Sequence, residues 1–478
     1  MLSVCKVTFP GSYESNRPPA ALHPTALSLL CSCIVVLLVA NPLPAFAEQT
    51  EKPNVIVIVA DDQGWNDIGY NGSEVLTPHL DDLAQNGVRL EANYAFPTCS
   101  PMRIALLAGR NPSRYGVLGP IGGRSKQALP PETATMADLF GSAGYRTAIS
   151  GKWHLGLRPE VGPLQYGFAS TYGYLHGQLD QYTHHYKNGD RTWHRQDRFL
   201  DEEGHATDLI AAEAIRVIEA ASDPPFFLYV PFSVPHYPLQ EPDEWVSLYD
   251  GRIDDEDRKL FAASLTHMDD AVGRIVAALE RSGKRKSTLI IFTSDNGGQQ
   301  SWSSQNQYGG RHGPNKVLGN NRPLRGWKGD VYEGGIRVPA LVNWPGTLQP
   351  ATVTEPISVL DWYPTLAALI GVEVDSAWQL EGINLWPGLR DGVAGEKSRQ
   401  LSSRTLYWQT GRNAAVRQGS WKLVAHQGER PRYELYDVAS DPYEKTDRAG
   451  TATEKLAALK IELSRQQQLD NREAARQR

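Results

Sequence analysis

Asn54-Val55-Ile56-Val57-Ile58-Val59-Ala60 is a β-branched apolar run that breaks off at Asp61-Asp62-Gln63-Gly64-Trp65-Asn66-Asp67. No polar residue alternates within Val55–Ala60, so both faces of this strand are expected to be covered, as in the centre of an α/β sheet. Carboxylates at the carboxyl end of such a strand stand where open α/β sheets place their sites. Leu289-Ile290-Ile291-Phe292-Thr293-Ser294 repeats the design and ends in Asp295-Asn296-Gly297-Gly298, where glycine lets the chain turn sharply. Phe226–Val230 and Ala340–Trp344 read as further strands. Between the strands lie two apolar stripes at helical spacing. One is Ile210, Ala214, Val217, Ile218 and Ala221; the other is Leu265, Met268, Val272, Ile275 and Leu279. Strands alternating with such helices predict an α/β layer fold.

After about Gly395 the texture changes. Thr405–Trp408, Ala415–Val416, Trp421–Val424 and Glu434–Asp437 are short strand-like pieces, and Glu454–Ser464 forms a helix with Leu456, Leu459 and Leu463 inward. This predicts a small C-terminal antiparallel sheet with one helix, at residues 396–478, following a catalytic α/β domain at 48–395. The polar tail Gln466–Arg478 is expected to fray.

The start of the chain has its own character. Ala26–Ala40 is apolar, with Lys6, Arg17 and His23 before it and Ala45-Phe46-Ala47 after it. That is the pattern of a secretory signal, expected to be removed after Ala47, giving a periplasmic or secreted protein with no stable membrane anchor. Of the four cysteines, Cys5, Cys31 and Cys33 fall in this segment, so the mature chain keeps only Cys99. A lone cysteine in an exported protein asks for a reactive role or an intermolecular link. A formal charge of −6 carries no nucleic-acid footprint.

Pro97-Thr98-Cys99-Ser100-Pro101-Met102-Arg103 places that cysteine at a helix start, since Pro101 suits a first turn and Ile104–Ala108 continues it. Backbone N–H groups there favour an anion, and Arg103, one turn on, is a fork of donors. Asp61, Asp62, Asp295 and Asn296 offer only oxygen ligands, which suits Ca²⁺ or Mg²⁺ over zinc. Gly151-Lys152-Trp153-His154-Leu155-Gly156 carries Lys152 and His154 two apart, on one face of an extended segment. Pro235 and Pro238 stiffen the loop holding His236. Lys328 sits in Leu324–Pro339, a glycine-rich stretch where Glu333 and Arg337 read as structural pairs. Tyr182, His184, His185 and Trp193 form a polar, aromatic-rich stretch that reads equally as a sugar-facing surface or an ordinary loop.

Cys99-x-Pro101-x-Arg103, continued through Gly109-Arg110, resembles the signature of the type I sulfatases. Gly151–Gly156, Pro235–Pro238, Asp295-Asn296 and Arg325–Gly335 are similar to further family motifs, in family order. Met102 stands where the family usually has Ser, Thr or Ala. The resemblance covers about Pro53 to Ala449 and, within the family, looks most like the arylsulfatase B (N-acetylgalactosamine 4-sulfatase) branch. It implies an alkaline-phosphatase-like sandwich with a large mixed sheet. It also implies that a formylglycine-generating enzyme oxidises Cys99 to formylglycine, whose hydrated aldehyde is the nucleophile. Ca²⁺ is implied on Asp61, Asp62, Asp295, Asn296 and the oxygen of residue 99. Arg103, Lys152 and Lys328 are implied to neutralise the sulfate, His236 to protonate the departing alcohol, and His154 to act as base. The implied substrate is a sulfate monoester, foremost of a sulfated carbohydrate. The competing readings are a phosphonate or phosphate ester hydrolase of the same superfamily and a non-catalytic carbohydrate-binding scaffold.

Overall fold

A computed structural model describes residues 52–220, 223–392 and 395–476. The expected signal segment, with Cys5, Cys31 and Cys33, lies outside these residues, as does Ala221.

The Asn54–Ala60 strand is buried along its whole length. Its alternate side chains enter two different cores: Val55, Val57 and Val59 face one, Ile56, Ile58 and Ala60 the other. A strand wet on neither face has no use for polar alternation, which is why the run is continuously apolar. It pairs in parallel with Thr288–Ser294 on one side and Phe226–Pro231 on the other. Arg146–Lys152 and then Ser170–Tyr174 extend the parallel run, while Ala340–Asn343 joins antiparallel beyond Thr288–Ser294. Short strands at both edges complete a mixed sheet of ten.

Helices cover both faces. Cys99–Ala108 packs Met102, Ile104 and Leu106 into the first core. Ala206–Glu219 and the long Glu256–Arg281 helix pack their stripes, Ile210 and Ala214 with Leu265, Met268 and Ile275, into the second. The predicted α/β architecture is therefore observed.

Thr405–Gln409, Asn413–Gln418, Trp421–His426 and Arg432–Asp437 form an antiparallel sheet of four. One face receives Leu459 and Leu463 from the Thr453–Gln468 helix; Leu406, Trp408, Ala415 and Val424 on the other face join the first core. A buried ion network fastens this sheet to the Glu333–Ile336 turn that precedes Ala340–Asn343. Lys422 lies 2.9 Å from both Glu333 and Glu444, and the Tyr94 hydroxyl donates to Glu333 at 2.7 Å. Arg337 stands 3.9 Å from Glu333, as expected for a structural pair.

The tail departs from expectation. The helix runs to Gln468 and a further turn, Arg472–Arg476, follows. Arg114 holds this end: it pairs with Asp470 at 2.7 Å and donates to the Gln466 carbonyl at 2.9 Å. A polar sequence reads as frayed, but a buried guanidinium in need of acceptors gives it a reason to dock.

His267, on the Glu256–Arg281 helix, lies between two carboxylates, with Nδ1 2.7 Å from Glu241 and Nε2 3.2 Å from Asp208. Burial opposes the imidazolium, yet Asp208 and Glu241 outweigh it and raise the pKa from 6.5 to about 9. A folded-state pKa raised in this way stabilises fully below about pH 6.5 and is lost as the pH climbs towards 9. Denaturant unfolding across that window is expected to show stability falling with pH, and His267→Gln is expected to flatten the fall. An unchanged slope in the variant contradicts the clamp.

Candidate active site

The parallel strands deliver the site residues side by side. Ala60 and Ser294 are register partners, so Asp61 and Asp295 leave the sheet together, and the Asp295 N–H still donates to the Ala60 carbonyl at 3.0 Å. On the other side of Asn54–Ala60, Phe226–Pro231 leads to His236, and beyond it Arg146–Lys152 ends in Lys152. Cys99 is the first residue of its helix, after an extended Thr98. Lys328 comes from the loop ahead of Ala340–Asn343, its N–H donating to the Gly298 carbonyl at 3.1 Å. The structure thus brings all ten predicted residues into one constellation, buried except for a partly buried Lys328.

Its electrostatics centre on three carboxylates. Asp61 accepts from Lys152 Nζ at 2.5 Å. Asp62 accepts from Lys328 Nζ at 2.7 Å and from the Asn296 amide at 2.8 Å, with His236 Nε2 3.8 Å away. Asp295 accepts from Arg103 at 2.8 Å, and a second Arg103 nitrogen reaches the Lys152 carbonyl at 3.3 Å. The fork expected to face an anion therefore has Asp295 as its direct partner. Burial raises the Asp62 pKa, but Lys328 and His236 outweigh it and hold the group at about 2. Asp61 goes the other way: desolvation first, then repulsion from Asp295, push its pKa well above 3.8 despite Lys152. Burial also raises the Cys99 thiol, against the pull of Lys152 and Lys328.

Asp61 Oδ1 and Asn296 Oδ1 are buried without a hydrogen-bond partner. Ligand atoms of Asp61, Cys99 and Asp295 lie within 4.8 Å of one another. Unpartnered buried oxygens beside a carboxylate that resists ionising fit a hard cation, and all four predicted oxygen ligands are present for one. The residues fit Ca²⁺.

The two histidines differ in which nitrogen faces the site. His236 engages the Tyr237 carbonyl through Nδ1 at 2.6 Å, leaving Nε2 towards Asp62. Burial, with Lys328 and Lys152, lowers its pKa to about 3. His154 engages the Ile121 carbonyl through Nε2 at 2.8 Å, and Nδ1 has no partner. Since a carbonyl only accepts, Nε2 carries the hydrogen and Nδ1 is a bare lone pair. Burial, Lys152 and Arg103 keep this imidazole neutral, well below 6.5. Asp62 and His154 both take positive φ, 77° and 58°, a strained backbone that here turns each side chain inward.

Sequence reasoning missed three supports. Ser100 donates to the His154 carbonyl at 2.9 Å and accepts the Ile121 N–H at 3.0 Å, tying the cysteine helix to the His154 loop. Gly177 lies flat against His154: a Cβ there would come within 2.5 Å of the imidazole. Tyr237, directly after His236, stacks on Trp302. None has a local signal, because each depends on a contact far along the chain. The stretch left open in sequence divides. Trp193 is buried at 1% exposure with His184 stacked on it, whereas Tyr182 is 44% exposed. His205, Glu241 and His267 also converge, but both His267 ring nitrogens are already engaged by carboxylates, Nδ1 by Glu241 and Nε2 by Asp208.

Calcium added to chelator-treated protein is expected to raise the unfolding temperature, on the scale of about 2.7 kcal/mol at a hundredfold excess over Kd. Asp295→Asn, which also unpairs Arg103, is expected to weaken that response. Unfolding indifferent to both chelator and Ca²⁺ contradicts the cation site.

Residues 53–372 match the family model described as Sulfatase, and residues 326–472 the model described as N-sulphoglucosamine sulphohydrolase, C-terminal. Arylsulfatase J of Mus musculus is 34% identical over 407 residues, which span 78% of this chain and 64% of that protein. N-acetylgalactosamine-6-sulfatase of Mus musculus is 31% identical, over 83% of this chain and 75% of the relative. Among solved structures, Ps i-CgsB in complex with k-i-k-neocarrahexaose superposes with a TM-score of 0.78 at 31% identity, covering 88% of this chain and 94% of that one.

Proposed function

We propose a function that proceeds from one fact: the chain belongs to the sulfatase family. It is a sulfuric ester hydrolase that cleaves sulfate monoesters, and its substrates are sulfated carbohydrates. The observation that carries this reading is the set of Cys99, three carboxylates, three cations and two oppositely oriented histidines, all buried but for a partly buried Lys328, gathered at the carboxyl ends of adjacent strands. The relatives named N-acetylgalactosamine-6-sulfatase and the solved structure in complex with a neocarrahexaose support sugar as the carrier. The expected signal segment supports action outside the cytoplasm; among the described residues no helix is long and apolar enough to cross a membrane.

Oxidised to formylglycine, residue 99 supplies a hydrated aldehyde as the nucleophile. Asp61, Asp62, Asp295 and Asn296 would hold a Ca²⁺, which would supply positive charge for the anionic ester. The chain's own residues do the rest. Lys152, Lys328 and Arg103 are set to offset the charge that shifts onto the transferring group, and because they are fixed beforehand they need no reorganisation as the reaction proceeds. The ester's negative charge, arriving beside His236, favours its imidazolium. His236 Nε2, with the Lys328 ammonium, then delivers a proton to the departing oxygen. His154 meets the requirement for a base: neutral, buried and with Nδ1 free of any partner.

Protein co-produced with a formylglycine-generating enzyme is expected to hydrolyse 4-nitrophenyl sulfate and sulfated N-acetylhexosamine, with Cys99→Ala inactive. Turnover of 4-nitrophenyl phosphate exceeding that of the sulfate contradicts the substrate class.

Gly177→Ala forces the His154 imidazole aside. It is expected to lose about 10²-fold in kcat, the scale of an ångström's misplacement of a catalytic group, with the melting temperature little changed. Full activity in this variant contradicts the role given to His154.

A further inference from the structure

We propose that Trp302, backed by Tyr237, is the wall on which the ring bearing the departing oxygen stacks, so that the pocket selects sulfate esters of six-membered rings. The proposal rests on the sulfatase reading and deepens it by naming what holds the alcohol half of the substrate.

Tyr237 follows His236 directly, so its position is tied to that of the proton donor. Its ring is buried, and its hydroxyl donates to the His312 carbonyl at 2.8 Å. Trp302 lies on it nearly parallel, with centroids 4.5 Å apart and planes 17° apart. The His236 ring stands 6.4 Å from Trp302, inclined at 59°. Trp302 is only partly buried, so of this pair it is the member that meets incoming molecules, while Tyr237 fixes it from behind.

The indole is also held from its backbone. Trp302 and Asn315 exchange both main-chain hydrogen bonds, at 2.7 and 2.9 Å. Asn315 and the Lys316 N–H then bind the Asp257 carboxylate, at 2.7 and 2.6 Å, on the long Glu256–Arg281 helix. His312 packs edge-on to Tyr237 and pairs with Asp180 at 3.0 Å, closing the far side of the loop. This loop begins at Asp295-Asn296, so one stretch of chain sets both the proposed cation ligands and the aromatic wall.

The departing oxygen must come within hydrogen-bond reach of His236 Nε2 for a proton to pass. The ring attached to that oxygen is the next group out, and the wall beside His236 is aromatic. A pyranose or aryl ring presents a flat apolar face to such a surface, and a pre-fixed indole gives contact area at small entropic cost. The wall contributes nothing to the sulfate itself, which is held by Lys152, Lys328 and the proposed cation. Trp302 is thus a specificity residue for the leaving group.

The experiment is steady-state kinetics of the formylglycine-bearing full chain on 4-nitrophenyl sulfate, with inorganic sulfate as a competing inhibitor. Trp302→Ala is expected to raise KM about tenfold while leaving the inhibition constant for inorganic sulfate unchanged, and Trp302→Phe to restore most of the loss. A KM for Trp302→Ala within twofold of wild type overturns the proposal. So does a parallel rise in the sulfate inhibition constant, which marks a collapsed anion site. Wild-type protein that turns over no sulfate ester refutes the sulfatase reading and this proposal with it, an outcome distinct from an active enzyme indifferent to residue 302.

Discussion

Three carboxylates, Asp61, Asp62 and Asp295, are buried together at the ends of two neighbouring parallel strands, and the site is built to answer their charge. Taking carboxylates out of water is costly unless each finds a partner, and leaving one unpaired costs about 3–5 kcal/mol. Lys152, Lys328 and Arg103 come from a strand end, a loop and a helix, each to a different carboxylate. Those pairings draw five separated stretches of chain to one point. Even so, Asp61 resists ionisation and keeps one oxygen unpartnered. The proposed divalent cation among these oxygens would turn a balanced cluster into a net positive one, suited to an anionic ester.

Much of this was legible in the sequence because it is local. A strand apolar on both faces announces a covered sheet, and the polar residues where it stops announce the site. Asp61-Asp62 and Asp295-Asn296 were readable for this reason, and the register between their strands makes them one group. What escaped was relational. That His154 presents Nδ1 depends on a hydrogen bond to Ile121 and on Gly177, whose lack of a side chain has meaning only against that ring. Trp302 is one aromatic in a polar loop until Tyr237 is seen beneath it. Arg103 was readable as an anion-facing fork, but its bond to Asp295 was not. The tail misled because composition cannot show that a buried Arg114 waits for Gln466 and Asp470.

The C-terminal sheet serves the same centre at one remove. Lys422 reaches from it into the main body, between Glu333 and Glu444, and Glu333 heads the turn just after Lys328. Burial, and then repulsion from Glu333, push the Glu444 pKa up to about 7 against Lys422. The stretch carrying Lys328 is therefore anchored by ion pairs to a second sheet and by the Gly298 carbonyl to the loop after Asp295-Asn296. Lys328, which pairs with Asp62 and is proposed to meet an incoming ester, is held from two sides.

The central claim is that Cys99 is the precursor of the nucleophile, and the mass of the peptide carrying residue 99, from protein exported by its native host, tests it most directly. The account predicts a peptide about 18 Da lighter than the thiol form, as replacing a thiol by an aldehyde requires, and one that couples to an aminooxy reagent. An intact, alkylatable thiol at residue 99 in protein that hydrolyses sulfate esters contradicts it.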